Sequence, residues 1–184
     1  MAIMNPKSFP IRDGRNVTIR TAKPGDAKNV LAFNRSILCD APYLVTTVDE
    51  FKLTESDQRR FLEQMHEADG SLALVAEVEG QMVGFLDFAS GSKQRTAHQG
   101  AFGMSVEEDY RGLGIGKALL RSLITWANQH PKLEKLTLEV VSENKGAIHL
   151  YRQLGFREEG RKIRALKLED GTYHDLWQMA KFLK

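Results

Sequence analysis

Apolar positions along this chain follow two different periods, and the switch between them marks most of the elements. Over residues 26–38, Ala27, Val30, Leu31, Ile37 and Leu38 recur at helical spacing, and Pro24-Gly25 opens the amphipathic helix they predict. A second helix is expected after Thr54, which forms a capping box with Asp57 ahead of Phe61, Leu62 and Met65; Asp69-Gly70 ends it. The period then shortens. Apolar-rich runs at residues 71–78 and 82–88 flank Glu79-Gly80-Gln81, the pattern of an antiparallel hairpin, and a third run fills residues 100–106. Ile115, Leu119, Leu123 and Trp126 form the stripe of a helix over residues 115–127, closed by His130-Pro131. Leu136, Leu138 and Val140 then alternate with Lys135, Thr137 and Glu139 as a strand requires. A short helix at 145–154 and strands at 161–168 and 172–182 complete the chain. At its start, Ile11-Arg12 and residues 17–20 flank Asp13-Gly14 as a short hairpin behind a loose tail at residues 1–8. Residues 39–53, with Pro42, Tyr43 and Asp49-Glu50, have no clear period and read as a loop.

Hairpins followed by a strand-helix-strand-helix series indicate a mixed α+β or α/β sheet. At 184 residues, with 42% hydrophobic and 27% charged residues, the chain fits one globular domain able to bury a core. The expected division is an N-terminal tail and hairpin arm at residues 1–16 and a single domain at 17–184. A formal charge of +2 is too near balance to argue for nucleic acid or a membrane surface as partner. The basic run Arg157, Arg161, Lys162, Arg164 and Lys167 is interrupted by Glu158 and Glu159 and reads as strand decoration. One cysteine, Cys39, rules out an internal disulfide and a Cys-cluster zinc site, and fits a reducing compartment. The first ten residues have no apolar core of a signal peptide and no apolar run approaches a membrane span, so a cytoplasmic protein is expected.

Candidate chemistry is concentrated at Tyr110-Arg111-Gly112-Leu113-Gly114-Ile115-Gly116-Lys117, after an expected strand and opening an expected helix. Alternating glycines let the backbone approach a bulky anion, and the first amides of a helix lack internal acceptors and carry the positive end of its dipole, so a diphosphate fits there. A plain glycine-rich turn starting a helix fits the same residues. Spacing argues against two other phosphate motifs: the third position after Gly114 is Lys117, not the glycine of a dinucleotide fingerprint, and no Ser or Thr follows Lys117 as in a P-loop.

A second pattern stands downstream, from Asn144 through Ala147, Leu150 and Tyr151 to Gly155-Phe156. Arg-x-x-Gly-x-Gly followed by Asn-x-x-Ala-x-x-Leu-Tyr-x-x-x-Gly-Phe resembles the GCN5-related N-acetyltransferase (GNAT) superfamily over residues 100–156, with weaker agreement in element order over residues 17–183. The resemblance implies a central, mostly antiparallel twisted sheet of six to seven strands with a splayed parallel pair, flanked by about four helices. It also implies acetyl-CoA as co-substrate and no metal. Backbone groups of Met104 and Val106 would hold the pantetheine arm in the gap between the splayed strands; Arg111, Gly112, Gly114, Ile115, Gly116 and Lys117 would surround the pyrophosphate. Asn144 would contact the pantetheine or acetyl end, and Tyr151 would face the sulfur. Structural readings stand beside these: Asn144 as a helix N-cap, Tyr151 as a core residue, Arg111 and Lys117 as solvated charges.

Direct acetyl transfer to a primary amine in a ternary complex needs a neutral amine, a donor to the tetrahedral oxyanion and a proton for the thiolate. A tyrosine with a pKa of about 10 is protonated at neutral pH, so Tyr151 can act as general acid; a backbone amide such as that of Met104 is the natural oxyanion donor. Glu139, projecting opposite the apolar face of its strand, is the first candidate for the base, with a half-exposed strand carboxylate as its other reading. Asp175, on one face with Tyr173 and Trp177, is a candidate for binding the amine, as is Tyr43 near Asp49 and Glu50. His98 and His174 are weaker candidates. Residues 101–105 contain no acid, which departs from family members that place a glutamate there. The expected partner is a small amine or a protein or peptide amine, with a homodimer left open and neither nucleic acid nor membrane involved. Two other readings stay open: a catalytically silent acyl-CoA-binding sensor or interaction module, and an unrelated phosphate-binding α/β domain.

Overall fold

A computed structural model describes residues 3–40 and 43–183. Met1 and Ala2 of the expected tail, and Pro42 of the expected loop, lie outside the described residues. The elements in chain order are β1 (Lys7–Pro10), β2 (Asn16–Thr21), α1 (Ala27–Asp40), α2 (Glu55–Glu67), β3 (Ser71–Val78), β4 (Gln81–Ser90), β5 (Gln99–Val106), α3 (Ile115–Gln129), β6 (Lys135–Val141), α4 (Lys145–Gln153), β7 (Arg157–Lys167) and β8 (Tyr173–Phe182). One sheet runs in the order β1-β2-β3-β4-β5-β6-β8-β7, and every neighbouring pair is antiparallel except β5 with β6.

The fold class is the expected one, and the sheet has eight strands rather than six or seven. The additional strand comes from the expected tail: β1 pairs Lys7 with Ile19 and Pro10 with Asn16, and Met4 N donates to Thr21 Oγ1. Ile11-Arg12 is therefore part of the turn, not a strand. Asp13-Gly14 supplies its corner, with Gly14 at φ 89° and Gly14 N donating to Ile11 O at 3.1 Å. Thr54 caps α2 as its sequence predicts, accepting from Asp57 N at 3.2 Å while Asp57 accepts from Thr54 N.

Both faces of the sheet are covered. In β3, Leu72, Leu74 and Ala76 enter a core beneath α3 and α4, whereas Ala73 and Val75 enter a second core beneath α1 and α2. Two covered faces explain why β3 is apolar at almost every position instead of alternating. Phe88 and Trp126 meet edge to face at 5.8 Å, locking α3 onto β4.

Gly100 stands at the start of the parallel pair because no side chain fits there. A Cβ at this position would clash with the Ala89 carbonyl oxygen and the Phe88 ring, both fixed by the sheet and the core. Gly100→Ala is expected to destabilise the protein by roughly 1–3 kcal/mol, read as a lowered urea midpoint; an unchanged midpoint would mean that β4 and β5 shift apart without cost.

Candidate functional site

The parallel pair is short. Only Gln99, Gly100 and Ala101 of β5 pair with Lys135, Leu136 and Thr137 of β6, after which β6 continues alongside β8 and β5 alongside β4. His98 O accepts from the amides of Glu134 and Lys135, and Gly100 O from Thr137 Oγ1, so even-numbered residues of β5 turn their backbone groups toward β6. Alternation extends this to Phe102, Met104 and Val106, which face the gap. Phe102 begins the gap with rings packed at its root: edge-to-face contacts join Phe102 to Tyr151 at 6.0 Å and to Phe156 at 5.7 Å. Val106 O is taken by Arg111 Nε at 3.0 Å, which folds this exposed side chain back over the end of β5.

The glycine segment that follows keeps its backbone open. Gly112 and Gly114 adopt φ of 75° and 101°, and a Cβ on either would meet nothing. Ala118 N is the first amide to find a helical partner, at Gly114 O; the amides from Gly112 to Lys117 have no acceptor among the described residues. Gly116 differs, because a Cβ there would lie 3.3 Å from both Leu150 Cδ2 and Met104 Cε. That glycine lets α4 close onto α3 and β5. Ile115 is buried in the core, whereas Arg111, Gly112 and Gly114 are exposed and Lys117 is half-buried. The loop is held from outside by Arg12, whose amide donates to Leu113 O and whose Nη1 donates to Gly112 O.

Asn144 caps α4, its Oδ1 accepting from Ala147 N at 3.2 Å. Tyr151 is only 7% exposed, and burial pushes its phenol up to about 12, so it stays protonated throughout the neutral range. Its hydroxyl has no hydrogen-bond partner among the described residues.

A cleft of about 540 Å³ opens on the α1–α2 side of the sheet. Its floor holds Asp87, a residue that sequence reasoning missed. Asp87 pairs with Gly103 across β4 and β5, so it occupies the strand neighbouring the stretch that lacks an acid. No side chain among the described residues pairs with its carboxylate, and desolvation raises its pKa from 3.8 to about 6. Gly103, Met104 and Ser105 line the same cleft, so it reaches the strand whose other edge forms the gap. The available sequence signal was a single carboxylate inside the apolar run of β4.

The residues expected as base or amine contact do not line this cleft. Glu139 is exposed on β6, ion-paired with Lys162 at 2.5 Å and accepting from Gln178 at 3.2 Å. Asp175 anchors the irregular part of β7, holding Arg161 and accepting from Arg164 N at 2.6 Å; these bonds keep its carboxyl below the usual carboxylate range. Tyr43 is exposed and does not line the cleft, although Leu44, Val45 and Thr46 beside it do. Glu50 accepts from Thr47 N and Oγ1, a local turn. His174 faces Glu143 at 3.3 Å. No group of His, Cys, Asp or Glu among the described residues is arranged to hold a metal ion, and no helix among them is long and apolar enough to cross a membrane.

Comparison with known proteins supplies the remaining constraint. Residues 36–156 match the family described as Acetyltransferase (GNAT) family. An N-alpha-acetyltransferase of Sulfurisphaera tokodaii is 30% identical over 156 residues, covering 80% of this chain and 84% of the relative. An L-amino acid N-acetyltransferase of Escherichia coli is 29% identical over 119 residues, 65% of this chain and 73% of the relative. The crystal structure of a GNAT-family acetyltransferase from Streptococcus pneumoniae superposes with a TM-score of 0.87 at 28% identity, covering 91% of this chain and 99% of that one. A family match over most of the chain, agreeing with the parted strands and the glycine loop, means that the chain belongs to the acetyltransferase (GNAT) family and is an acetyl-CoA-dependent N-acetyltransferase.

Proposed function

We propose that the enzyme transfers the acetyl group directly to a primary amine, with Asp87 receiving the amine and Tyr151 returning a proton to the sulfur. The observation that carries this reading is one cleft lined by both Asp87 and Met104, an unpaired carboxylate and the strand with a free backbone edge. The names of the two relatives support an amine acceptor.

Met104 offers a free amide and carbonyl to the pantetheine arm, and the amide is placed to donate to the developing oxyanion. Arg111 releases Val106 O when its guanidinium turns to the pyrophosphate, which the unpaired amides of Gly112, Gly114, Ile115 and Gly116 and the Lys117 ammonium surround. Asn144 lies at the start of the tyrosine-bearing helix and orients the acetyl end. Acetyl-CoA supplies the acyl carbon and a thiolate leaving group. Asp87, its pKa raised to about 6 by burial, takes one proton from the incoming ammonium, and the amine nitrogen so freed forms the N–C bond as the C–S bond breaks. Tyr151 donates to the departing sulfur and regains a proton from the acylated nitrogen. The balance is one amide, one thiol and one proton released to solvent. Glu139 and Asp175 are committed to Lys162 and Arg161, and act here through the strands they brace.

Asp87→Asn is expected to lower kcat by about 10²-fold or more and to remove the kcat/KM rise through pH 6, with acetyl-CoA affinity kept; an unchanged pH profile would assign the base elsewhere. The same substitution carries a stability signature. Because folding raises the Asp87 pKa above its usual 3.8, stability is lost as pH rises from there through about 6 and stays lower above it. Asp87→Asn is therefore expected to stabilise the protein by roughly 1–3 kcal/mol at pH 8 and to give no such gain near pH 3.5, measured by urea unfolding.

Tyr151→Phe keeps the ring cluster and removes the proton donor. Turnover should fall by about 10²-fold with acetyl-CoA affinity unchanged in calorimetry, and wild-type turnover would show that another donor serves. Gly114→Asp places a carboxylate at the loop in one of the few residue types besides glycine enriched at positive φ. Acetyl-CoA affinity should fall by roughly tenfold or more; unchanged affinity would move the pyrophosphate off this loop.

A further inference from the structure

The cleft above Asp87 describes the amine as well as receiving it. Its walls come from α1, the segment 44–53, α2 and the β4–β5 face, and are dominated by Ile37, Leu44, Phe51, Phe61, Phe85 and Met104. Two carboxylates line it, those of Asp57 and Asp87, and no Lys, Arg or His does so among the described residues. Asp57 is already occupied, accepting from both the amide and the hydroxyl of Thr54 at the start of α2. Arg35, the cation on α1 nearest in sequence to the lining residues, directs Nη2 at Leu53 O at 3.4 Å and stays outside the cleft. The neutral amides are partly spent on each other, Asn34 Nδ2 donating to buried Gln58 Oε1 at 3.4 Å.

Resting on the reading of Asp87 as the amine's partner, we propose that the acceptor is a monocationic primary amine with an apolar body and no free carboxylate. An acceptor carboxylate would be desolvated against apolar walls with no cation to meet it and with Asp87 repelling it. A second ammonium, as in a polyamine, would find no second unpaired carboxylate. A single ammonium on Asp87 with an apolar body against Phe61, Phe85 and Ile37 leaves no buried charge unpaired. A volume of about 540 Å³ is ample for such a body. This chemistry has two sources: a small alkyl or aryl-alkyl amine, or the first residue of a peptide whose carboxylate is tied up as an amide.

The test uses the full chain with acetyl-CoA and follows thiol release with phenethylamine, L-leucinamide, a leucine-initiated peptide amide, free L-leucine and spermidine. The expected result is a kcat/KM at least about tenfold higher for one or more of the first three than for leucine or spermidine; activity with phenethylamine or with the peptide alone identifies the source. Leucine or spermidine used as well as the carboxylate-free amines would overturn the inference while leaving Asp87 and Tyr151 in their roles. Acetyl-CoA binding in calorimetry without thiol release to any amine would remove the transfer reading, and the inference with it. A gain-of-function variant checks the charge argument separately. Leu53 lines the cleft yet is 44% exposed, so Leu53→Arg can be accommodated and supplies the missing cation. It should narrow the preference for leucinamide over leucine by roughly tenfold, and an unchanged ratio in the folded variant would overturn the proposal.

Discussion

Backbone amides and carbonyls inside a sheet have to be paired, and the site depends on the place where β5 and β6 leave that requirement unmet. Three residue pairs hold the parallel strands together before they part. Phe102, Tyr151 and Phe156 fill the root of the division, so the strands are wedged rather than simply frayed. Beyond the wedge, β5 keeps β4 on one side and exposes a row of main-chain groups on the other. Such a row has the pattern of donors and acceptors that a long, polar, hydrogen-bonding ligand could complete as a strand would.

The two chemical groups assigned to the reaction lie on opposite sides of this sheet and are prepared by the same physical cause. Asp87 belongs to the α1–α2 face and Tyr151 to the α3–α4 face, and burial without a charged partner raises both pKa values. For the carboxylate the shift brings its proton affinity toward neutral pH, where a base is most useful; for the phenol it secures the protonated form. Desolvating an unpaired carboxylate costs stability that the rest of the core must offset, the compromise expected where a site is built for chemistry.

Legibility in the sequence followed how local each feature is. The glycine loop and the Asn144–Phe156 pattern are local: positive φ, free amides, a capped helix and a ring at a fixed offset are all determined within about a dozen residues, so they could be read directly. The strands of the hairpins were legible too, except that Lys7–Pro10, with its single apolar aromatic, looked like tail and is a strand only because β2 offers it an edge. The surroundings of the acidic side chains were not legible. Glu139 and Asp175 meet cross-strand partners at Lys162 and Arg161, and strand register is not written in either segment alone. Asp87 looks like one polar residue in an apolar strand; what sets it apart is enclosure by two helices and a loop distant in the chain.

The Arg12 contacts tie the N-terminal hairpin mechanically to the glycine loop. A loop rich in glycine has many conformations to lose when it wraps an anion, and each lost conformation weakens binding. By holding the carbonyls of Gly112 and Leu113, Arg12 removes conformations from the loop before any ligand arrives. The freedom of the loop is thus set partly by a residue a hundred positions upstream.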